Sequence, residues 1–260
     1  MQTSRNLILG GLALVLAAAG SLHAADDFSW SGRVADGKAI EIKGVNGGIR
    51  AEAGSGPEVA VTAHRTARRS DPDSVKVEVV EHAGGVTICA VYPASDGREN
   101  TCVPGKGGRM NVRDNDVKVE FTVRVPTGVR FVGRTVNGGI TALGLKGDVE
   151  AHTVNAGVEI ETAGLAEADT VNGSISAQVG RADWTGGARF NTVNGGISLT
   201  LPADVNADVD AKTVNGSIDT DFPITVQGKI GRRSLHGRIG SGGRALELET
   251  VNGSIELRKH

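Results

Sequence analysis

The chain has 260 residues with 28 basic and 30 acidic side chains, giving a formal net charge of -2. This balance excludes strong electrostatic attraction to nucleic acid or to an anionic surface, so we predict no nucleic-acid partner. Aromatic residues make up only 3% of the chain, which argues against the stacking platforms that usually bind sugars.

Residues 1–24 have the pattern of a secretory signal peptide. Arg5 gives a positive start, residues 7–20 form an apolar run, and Ala24 is a small residue at the expected cleavage point. The run of about 14 residues is shorter than the roughly 20 that a spanning helix needs. We therefore predict an exported protein, periplasmic or extracellular, with no transmembrane segment. An uncleaved N-terminal anchor is the alternative.

Residues 25–130 are predicted to form an irregular N-terminal β region with strand-like runs between glycine and polar clusters. The region contains both cysteines, Cys89 and Cys102, and export predicts that they form one structural disulfide. In the chain-entropy model, closing a loop of this size contributes roughly 3 kcal/mol. We expect this bond to brace a long loop at about residues 93–115.

One dense basic patch lies in the same region. Arg65, Arg68 and Arg69 could contact an anionic polymer. The alternative is a solvated strand end and turn.

Residues 131–260 are predicted to form a regular β-repeat region in which one phrase, Thr-Val-Asn-Gly, returns at intervals of about 16–22 residues. Apolar residues alternate on both sides of it, which is the period of a strand. Ser234-Leu235-His236-Gly237 is interpreted as a further, divergent copy. An earlier copy precedes the region, and the repeated asparagines are Asn46, Asn137, Asn155, Asn172, Asn194, Asn215 and Asn252.

Two all-β architectures fit this repeat. Asn-Gly between alternating strands is a strong hairpin signal, because both residues tolerate positive φ, and it would give an antiparallel hairpin meander. A parallel β-solenoid would instead stack each asparagine on its counterpart about 4.8 Å away, so that the amides form a structural column. The solenoid is favoured because it explains why the units are alike. The charged end, Arg258-Lys259-His260, would then either cap the last unit or form a solvated tail.

Several motifs resemble the DUF4097 family of β-strand repeat proteins, which are often labelled as adhesins. The matching features are Trp30, Ile40-Glu41-Ile42 leading into Val45-Asn46-Gly47, the strand 119–126, and the serial Thr-Val-Asn-Gly-x-Ile units. The resemblance covers nearly the whole mature chain. It implies a right-handed β-solenoid and an envelope location, with no established chemistry.

Catalytic and metal-binding motifs are not recognisable in the sequence. No histidine lies at metal-site spacing from another histidine or cysteine, and no serine lies in a G-x-S-x-G elbow. We predict no catalytic residue, metal or cofactor, and a non-enzymatic, adhesin-like scaffold whose partner is an unidentified envelope protein or polysaccharide. The alternatives are a mechanical or stress-protective envelope module, or a polysaccharide-active enzyme using residues such as Asp183, Arg189, Asp208 and Asp210.

Overall fold

The structure is a computed structural model that describes residues 23–24, 28–184, 186–226, 231 and 233–260. The predicted signal peptide lies outside the described residues, apart from His23 and Ala24. Within the described residues, no helix is long and apolar enough to cross a membrane.

The described chain is built from β-strands and one short 3-10 turn, Pro72–Ser74. The first nine strands are β1 (His23–Ala24), β2 (Phe28–Gly32), β3 (Ala39–Lys43), β4 (Ile49–Ala53), β5 (Val59–Ala67), β6 (Lys76–His82), β7 (Gly85–Val91), β8 (Lys118–Val125) and β9 (Arg130–Arg134). The rest are β10 (Ile140–Leu145), β11 (Val149–His152), β12 (Val158–Thr162), β13 (Ala166–Asp169), β14 (Ile175–Val179), β15 (Ala188–Asn191), β16 (Ile197–Leu201), β17 (Ala207–Asn215), β18 (Ile218–Thr220), β19 (Ile224–Val226), β20 (Ser234–Ile239), β21 (Ala245–Asn252) and β22 (Ile255–Lys259).

These strands form two large mixed sheets. Sheet 1 has the order β1-β5-β8-β4-β10-β12-β14-β16-β22-β18, with β2 also paired to β5. Sheet 2 has the order β19-β20-β17-β21-β15-β13-β11-β9-β3-β7-β6. Strands of the repeat pair in parallel, with Val158 beside Ile175 and Ile175 beside Ile197. The all-β prediction is confirmed, and the antiparallel meander is wrong for these strands.

Each repeat copy contributes one strand to each sheet, joined by a corner that holds the Thr-Val-Asn-Gly phrase. We call such a pair of strands a unit. The units are β3–β4, β9–β10, β11–β12, β13–β14, β15–β16, β17–β18 and β21–β22. The inward side chains of both sheets form one hydrophobic core, in which Phe121, Phe131 and Phe190 are fully buried. Apolar and polar residues alternate along each strand. Because successive side chains point to opposite faces, the apolar ones lie in the core and the polar ones face solvent.

The order of the units in space differs from their order in the chain. The last unit, β21–β22, lies between β15–β16 and β17–β18, because Ile255 pairs with both Ile197 and Ile218. The prediction that the charged C-terminus either caps the stack or is a solvated tail is therefore wrong. Residues up to Lys259 belong to an inner strand of sheet 1.

The divergent copy at residues 234–237 is also not a unit. His236 lies in β20, which pairs antiparallel to β17 and places His236 opposite Asp210. His236 occupies the place of the repeated asparagine in the sequence, but it does not lie at a corner with the other asparagines. Strands β20 and β19 instead extend sheet 2 beyond β17.

The N-terminal region joins the same two sheets. The β3–β4 unit packs beside β9–β10, with Ile49 paired to Ile140. Antiparallel strands β5 and β6 then continue the sheets outward through β8 and β7. This arrangement places the cysteine-containing segment after β7 beside the first corners.

Candidate functional site

The threonine of each phrase faces the core, and its hydroxyl donates a hydrogen bond to a backbone carbonyl in the corner of a neighbouring unit. Thr192 Oγ1 donates to the Gly173 carbonyl at 2.7 Å, and Thr250 Oγ1 donates to the Gly195 carbonyl at 2.8 Å. The six repeat threonines are all buried. A corner carbonyl that water does not reach needs such a partner, because an unpaired buried acceptor costs free energy. The threonine column is therefore structural.

The valine of the phrase is exposed at five of the seven corners, and Val45 and Val251 are partly exposed. Val136 is 37% exposed, Val193 is 39% exposed, and Val214 is 54% exposed. We define the valine stripe by the seven corner valines in spatial order: Val45, Val136, Val154, Val171, Val193, Val251 and Val214. Six steps of about 4.8 Å make the stripe roughly 29 Å long. Together with Val103 and Met110, five of these valines are the large apolar side chains that the described chain exposes.

The asparagines form a continuous hydrogen-bonded ladder beside the valine stripe. Each Nδ2 donates to the Oδ1 of the next asparagine toward Asn46, at distances from 2.7 to 2.9 Å. The order is Asn46, Asn137, Asn155, Asn172, Asn194, Asn252 and Asn215. At one end, Asn46 Nδ2 donates to the Asn115 carbonyl at 3.4 Å. One N–H and one lone pair of each amide face outward, because an amide has two donors and two acceptor sites.

Apart from Gly47, whose φ is 117°, the glycine of the phrase is required by space and not by positive φ. A Cβ on Gly195 would lie 2.1 Å from the Gly173 carbonyl oxygen, and the repeat glycines of residues 138–253 that follow asparagine do not adopt positive φ. The positive-φ turn that made Asn-Gly a hairpin signal is therefore not the cause of this glycine. Stacking brings backbone against backbone at each corner.

At one corner the residue that follows the asparagine is Ala156, which places a Cβ where the other corners have glycine. At other junctions the residue after asparagine donates its N–H to the next asparagine carbonyl, as Gly173 N does to Asn194 O at 3.0 Å. Among the described residues, the corresponding bond and the backbone bridge are missing at the junction of Asn137 with Asn155, whereas Asn155 still pairs with Asn172. The corner thus accepts a methyl group with irregular backbone pairing on one side only.

Cys89 and Cys102 form the predicted disulfide. The loop it braces has internal order: Thr101 N donates to the Arg109 carbonyl at 2.9 Å, and Asn111 N donates to Asn100 Oδ1 at 2.7 Å. These bonds make residues 100–111 a closed, paired segment. We call residues 93–115 the disulfide loop.

Two charged residues of β3 fix the disulfide loop to sheet 2. Lys43 Nζ donates to three of its carbonyls, those of Val103, Gly105 and Gly107, at 2.8 to 2.9 Å. Burial lowers the pKa of Lys43, although the nearby Glu41 carboxylate opposes this shift. Glu41 is buried and accepts the Gly105 N–H at 2.8 Å. The loop is therefore held at its tip as well as at the disulfide.

A groove of about 700 Å³ separates the disulfide loop from the first three corners. Its apolar wall consists of Val45, Val136 and Val154 from the stripe, facing Met110 and Val112 of the loop.

Basic groups surround this apolar wall: Lys43, Lys106, Arg109, Arg113, Arg134 and His152. Asp114 is the acidic residue among the lining side chains.

Most of these basic groups already have partners. Arg134 pairs with Glu41 at 2.9 Å and with Glu150 at 2.5 Å, and Arg109 pairs with Asp96. Lys106 and Arg113 are exposed and form no ion pair with a described residue. The groove therefore retains a positive excess on the loop side.

His152 connects the groove to the outer face of sheet 2. Its Nε2 lies 2.6 Å from Glu150 Oε1 and its Nδ1 lies 2.9 Å from Asp169 Oδ2. Burial opposes protonation of His152, but the hydrogen bonds with Asp169 and Glu150 outweigh it and raise the imidazole pKa. The hydrogen bond with His152, together with the charge of Arg134, lowers the pKa of Glu150 to about 2.

The basic patch at residues 65–69 lies elsewhere, at the end of β5. Arg65 donates to the Val75 carbonyl at 3.0 Å and lies 3.3 Å from the Asp73 carboxylate. The Asp116 carboxylate accepts the backbone N–H groups of Arg68 and Arg69, and hydrogen bonds led by that from Ser70 lower its pKa to about 2. The anion contact at Arg65, Arg68 and Arg69 stays a prediction.

Of the residues considered for polysaccharide cleavage, Arg189 and Asp210 lie on either side of Glu247 in neighbouring strands of sheet 2, and each has an ion-pair partner. Asp183 pairs with Arg181 at 2.9 Å, and Arg189 pairs with Glu247 at 2.7 Å. The neighbouring Asp208 and Asp210 pair with Arg238, Lys212 and His236. Within the described part of the chain, no three histidine, cysteine or acidic side chains come together as a metal site would require.

The sequence analysis did not identify the valine stripe or the groove. Strand alternation contained the signal for the stripe: Val209, Ala211 and Thr213 are inward, which places Val214 outward. The groove depends on the position of the disulfide loop relative to the corners, and no local sequence pattern predicts that position. Of the groove residues, the analysis had identified Asn46, Asn137 and Cys89 as structural.

Comparisons with known proteins return only distant structural similarity. No protein-family model and no curated protein matches the chain, so membership of the DUF4097 family stays a prediction. A crystal structure described as a proposed cell adhesion protein from Clostridium sporogenes has 11% identity and a TM-score of 0.43, covering 90% of this chain and 100% of its own. A proposed adhesin from Bacteroides fragilis has 8% identity and a TM-score of 0.29, covering 90% and 97%. Similarity at this level carries no argument about function.

Proposed function

We propose that the chain is a non-enzymatic, exported scaffold, a right-handed parallel β-solenoid that binds a component of the cell envelope along its corner surface. The observation that carries the proposal is the concentration of exposed large apolar side chains on the valine stripe and the disulfide loop. Exposed apolar side chains that form one continuous patch are typical of interaction sites, whereas scattered ones are not.

The architecture supports an extended binding surface. Parallel units repeat the same valine and amide at each step, as they do in repeat proteins that bind along their length. Right-handed connections are the rule between parallel strands of one sheet. The disulfide fits an oxidising compartment, periplasmic or extracellular. Binding instead of catalysis is supported by the pairing of the charged groups that a polysaccharide-cleaving site would use.

Cosedimentation with isolated envelope fractions tests this proposal. In the variant Val171→Lys/Val193→Lys, two charges interrupt the stripe at neighbouring units, and we expect most of the bound protein to remain in the supernatant. The matched control is Ser176→Lys/Ser198→Lys, which adds the same charges to the outer face of sheet 1 in the same two units. Equal sedimentation of the two variants, or no sedimentation of the unsubstituted protein, would contradict the proposal.

A further inference from the structure

The groove beneath the disulfide loop differs from the rest of the valine stripe, because the loop forms a second wall and charged groups line it. The stripe beyond Val154 is open on its outer side, whereas Val136 and Val154 face Met110 and Val112 across the groove. A concave site of about 700 Å³ lies within the usual range for small-molecule sites. Such sites are mostly apolar, with a few convergent polar groups that orient the ligand.

The wall formed by the loop is fixed before any ligand binds. The disulfide holds the loop at Cys102, and Lys43 and Glu41 hold it at residues 103–107 through four hydrogen bonds. A fixed wall lowers the entropy lost on binding, because the loop is already ordered.

The charges of the groove specify the sign of the ligand. Arg134 and Arg109 are offset by the carboxylates of Glu41, Glu150 and Asp96. Lys43 is enclosed by three backbone carbonyls, with the Glu41 carboxylate nearby. Asp114 is the acidic residue among the lining side chains. Two positive charges, those of Lys106 and Arg113, are left without a partner among the described residues.

From these features we infer that the groove binds a phosphate-bearing lipid, with the acyl chain on Val136, Val154 and Met110 and the phosphate between Lys106 and Arg113. A phosphate monoester carries a charge of about -1.5 to -2 at pH 7, which is opposite in sign to the two unpaired cations. The guanidinium of Arg113 can bind phosphate oxygens in a bidentate manner. This inference rests on the proposed function and names the ligand class for one end of the same surface.

Valine-methyl NMR with dodecyl phosphate below its micelle concentration tests the site. We expect saturable shifts for the methyl groups of Val136 and Val154, and none for Val193 and Val214, which lie outside the groove. Dodecyltrimethylammonium has the same chain with the opposite charge, and inorganic phosphate is the head group alone. We expect neither to reproduce the shifts at the same concentration.

Two pairs of variants separate the chain contact from the head-group contact. Val154→Asp places a carboxylate on the apolar wall, and we expect about tenfold weaker binding of dodecyl phosphate, whereas Val193→Asp, at the same phrase position outside the groove, leaves affinity unchanged. Lys106→Ala/Arg113→Ala should also weaken binding about tenfold. Its control, Lys118→Ala/Arg124→Ala, removes the same charge from the outer face of β8.

Several outcomes would overturn the inference. They are an absence of shifts, equal shifts along the whole stripe, equal binding of the cationic amphiphile, or shifts produced by concentrating the protein alone, which would mean that a second copy fills the groove. If any of them occurs while envelope sedimentation still depends on Val171 and Val193, the lipid site is wrong and the proposed function stands. Loss of that dependence as well would reject both.

Discussion

At the scale of single residues, each position of the Thr-Val-Asn-Gly phrase has a separate physical role. Thr192 satisfies a buried carbonyl, Val193 faces solvent, Asn194 continues the ladder, and Gly195 admits the neighbouring backbone. Three of these roles concern the stacking of units, whereas the Val193 side chain is exposed to solvent. The repeated valine is therefore the residue of the phrase that we assign to function.

His152 gives the unit next to the groove a dependence on pH. Because its pKa is raised in the folded state, its contribution to stability is fully present below the unfolded value of about 6.5 and is lost as the pH rises through the folded value. Glu150 has the opposite sign: its contribution is present above the unfolded value of about 4.3 and is lost as the pH falls toward about 2. The pair is therefore most stabilising at roughly pH 5 to 6.

We expect His152→Gln to be less stable than the unsubstituted protein at about pH 5.5, and this difference to shrink at about pH 8.5. Urea unfolding at both pH values measures it. His260→Gln is the control, since the exposed His260 side chain pairs with none of the described residues and should show no such change. A stability difference that is equal at both pH values would contradict the assignment of His152 as the titrating group.

At the scale of strands and corners, the spacing between units is set by backbone contact at the glycine. Gly195→Ala would place a Cβ 2.1 Å from a backbone oxygen, so the units must move apart. We expect a loss of about 1–3 kcal/mol in the free energy of unfolding, as for other overpacked positions. Chemical denaturation followed by circular dichroism measures this loss.

Gly56→Ala is the control for this effect. A Cβ on Gly56 would meet nothing within 4 Å, and its φ is not positive. We expect no loss there, and a gain of up to about 1 kcal/mol from the reduced freedom of the unfolded chain. Similar losses at Gly195 and Gly56 would mean that corner contact does not determine the spacing.

The strands and the disulfide could be predicted from the sequence, because their signals are local. Alternation places Val209, Ala211 and Thr213 on one face of a strand. Export to an oxidising compartment predicts that the two cysteines of the chain form a disulfide. The groove and its cations could not, because they depend on contacts between residues far apart in the chain, such as Lys43 with the carbonyl of Val103. His236 was misassigned because its spacing fits the repeat, while its pairing with Asp210 is antiparallel.

At the scale of the whole molecule, the order of the units limits how the chain assembles. The β17–β18 unit follows β15–β16 in sequence but is separated from it by the later β21–β22 unit. Both neighbours of β22, namely β16 and β18, precede it in the chain, so the last unit enters between elements that are already made. The step of 37 residues from Asn215 to Asn252 is about twice the repeat interval, and counting residues 234–237 as a copy conceals the insertion.

This insertion predicts that the C-terminal segment is essential to the core. A chain ending at Arg244 would lose Leu246, Leu248, Ile255 and Leu257, which are fully buried. Four such side chains contribute roughly 6–12 kcal/mol at about 1.5–3 kcal/mol each, which is comparable to the total stability of a typical domain.

We expect residues 207–244 to detach from the remaining sheets, which limited proteolysis and size-exclusion chromatography would detect as early cleavage and aggregation. A chain ending at Leu257 is the control: it loses the Arg258 ion pairs, which are exposed and contribute little to stability. If the two truncated chains resisted protease equally, the last unit would not lie between β15–β16 and β17–β18 in solution.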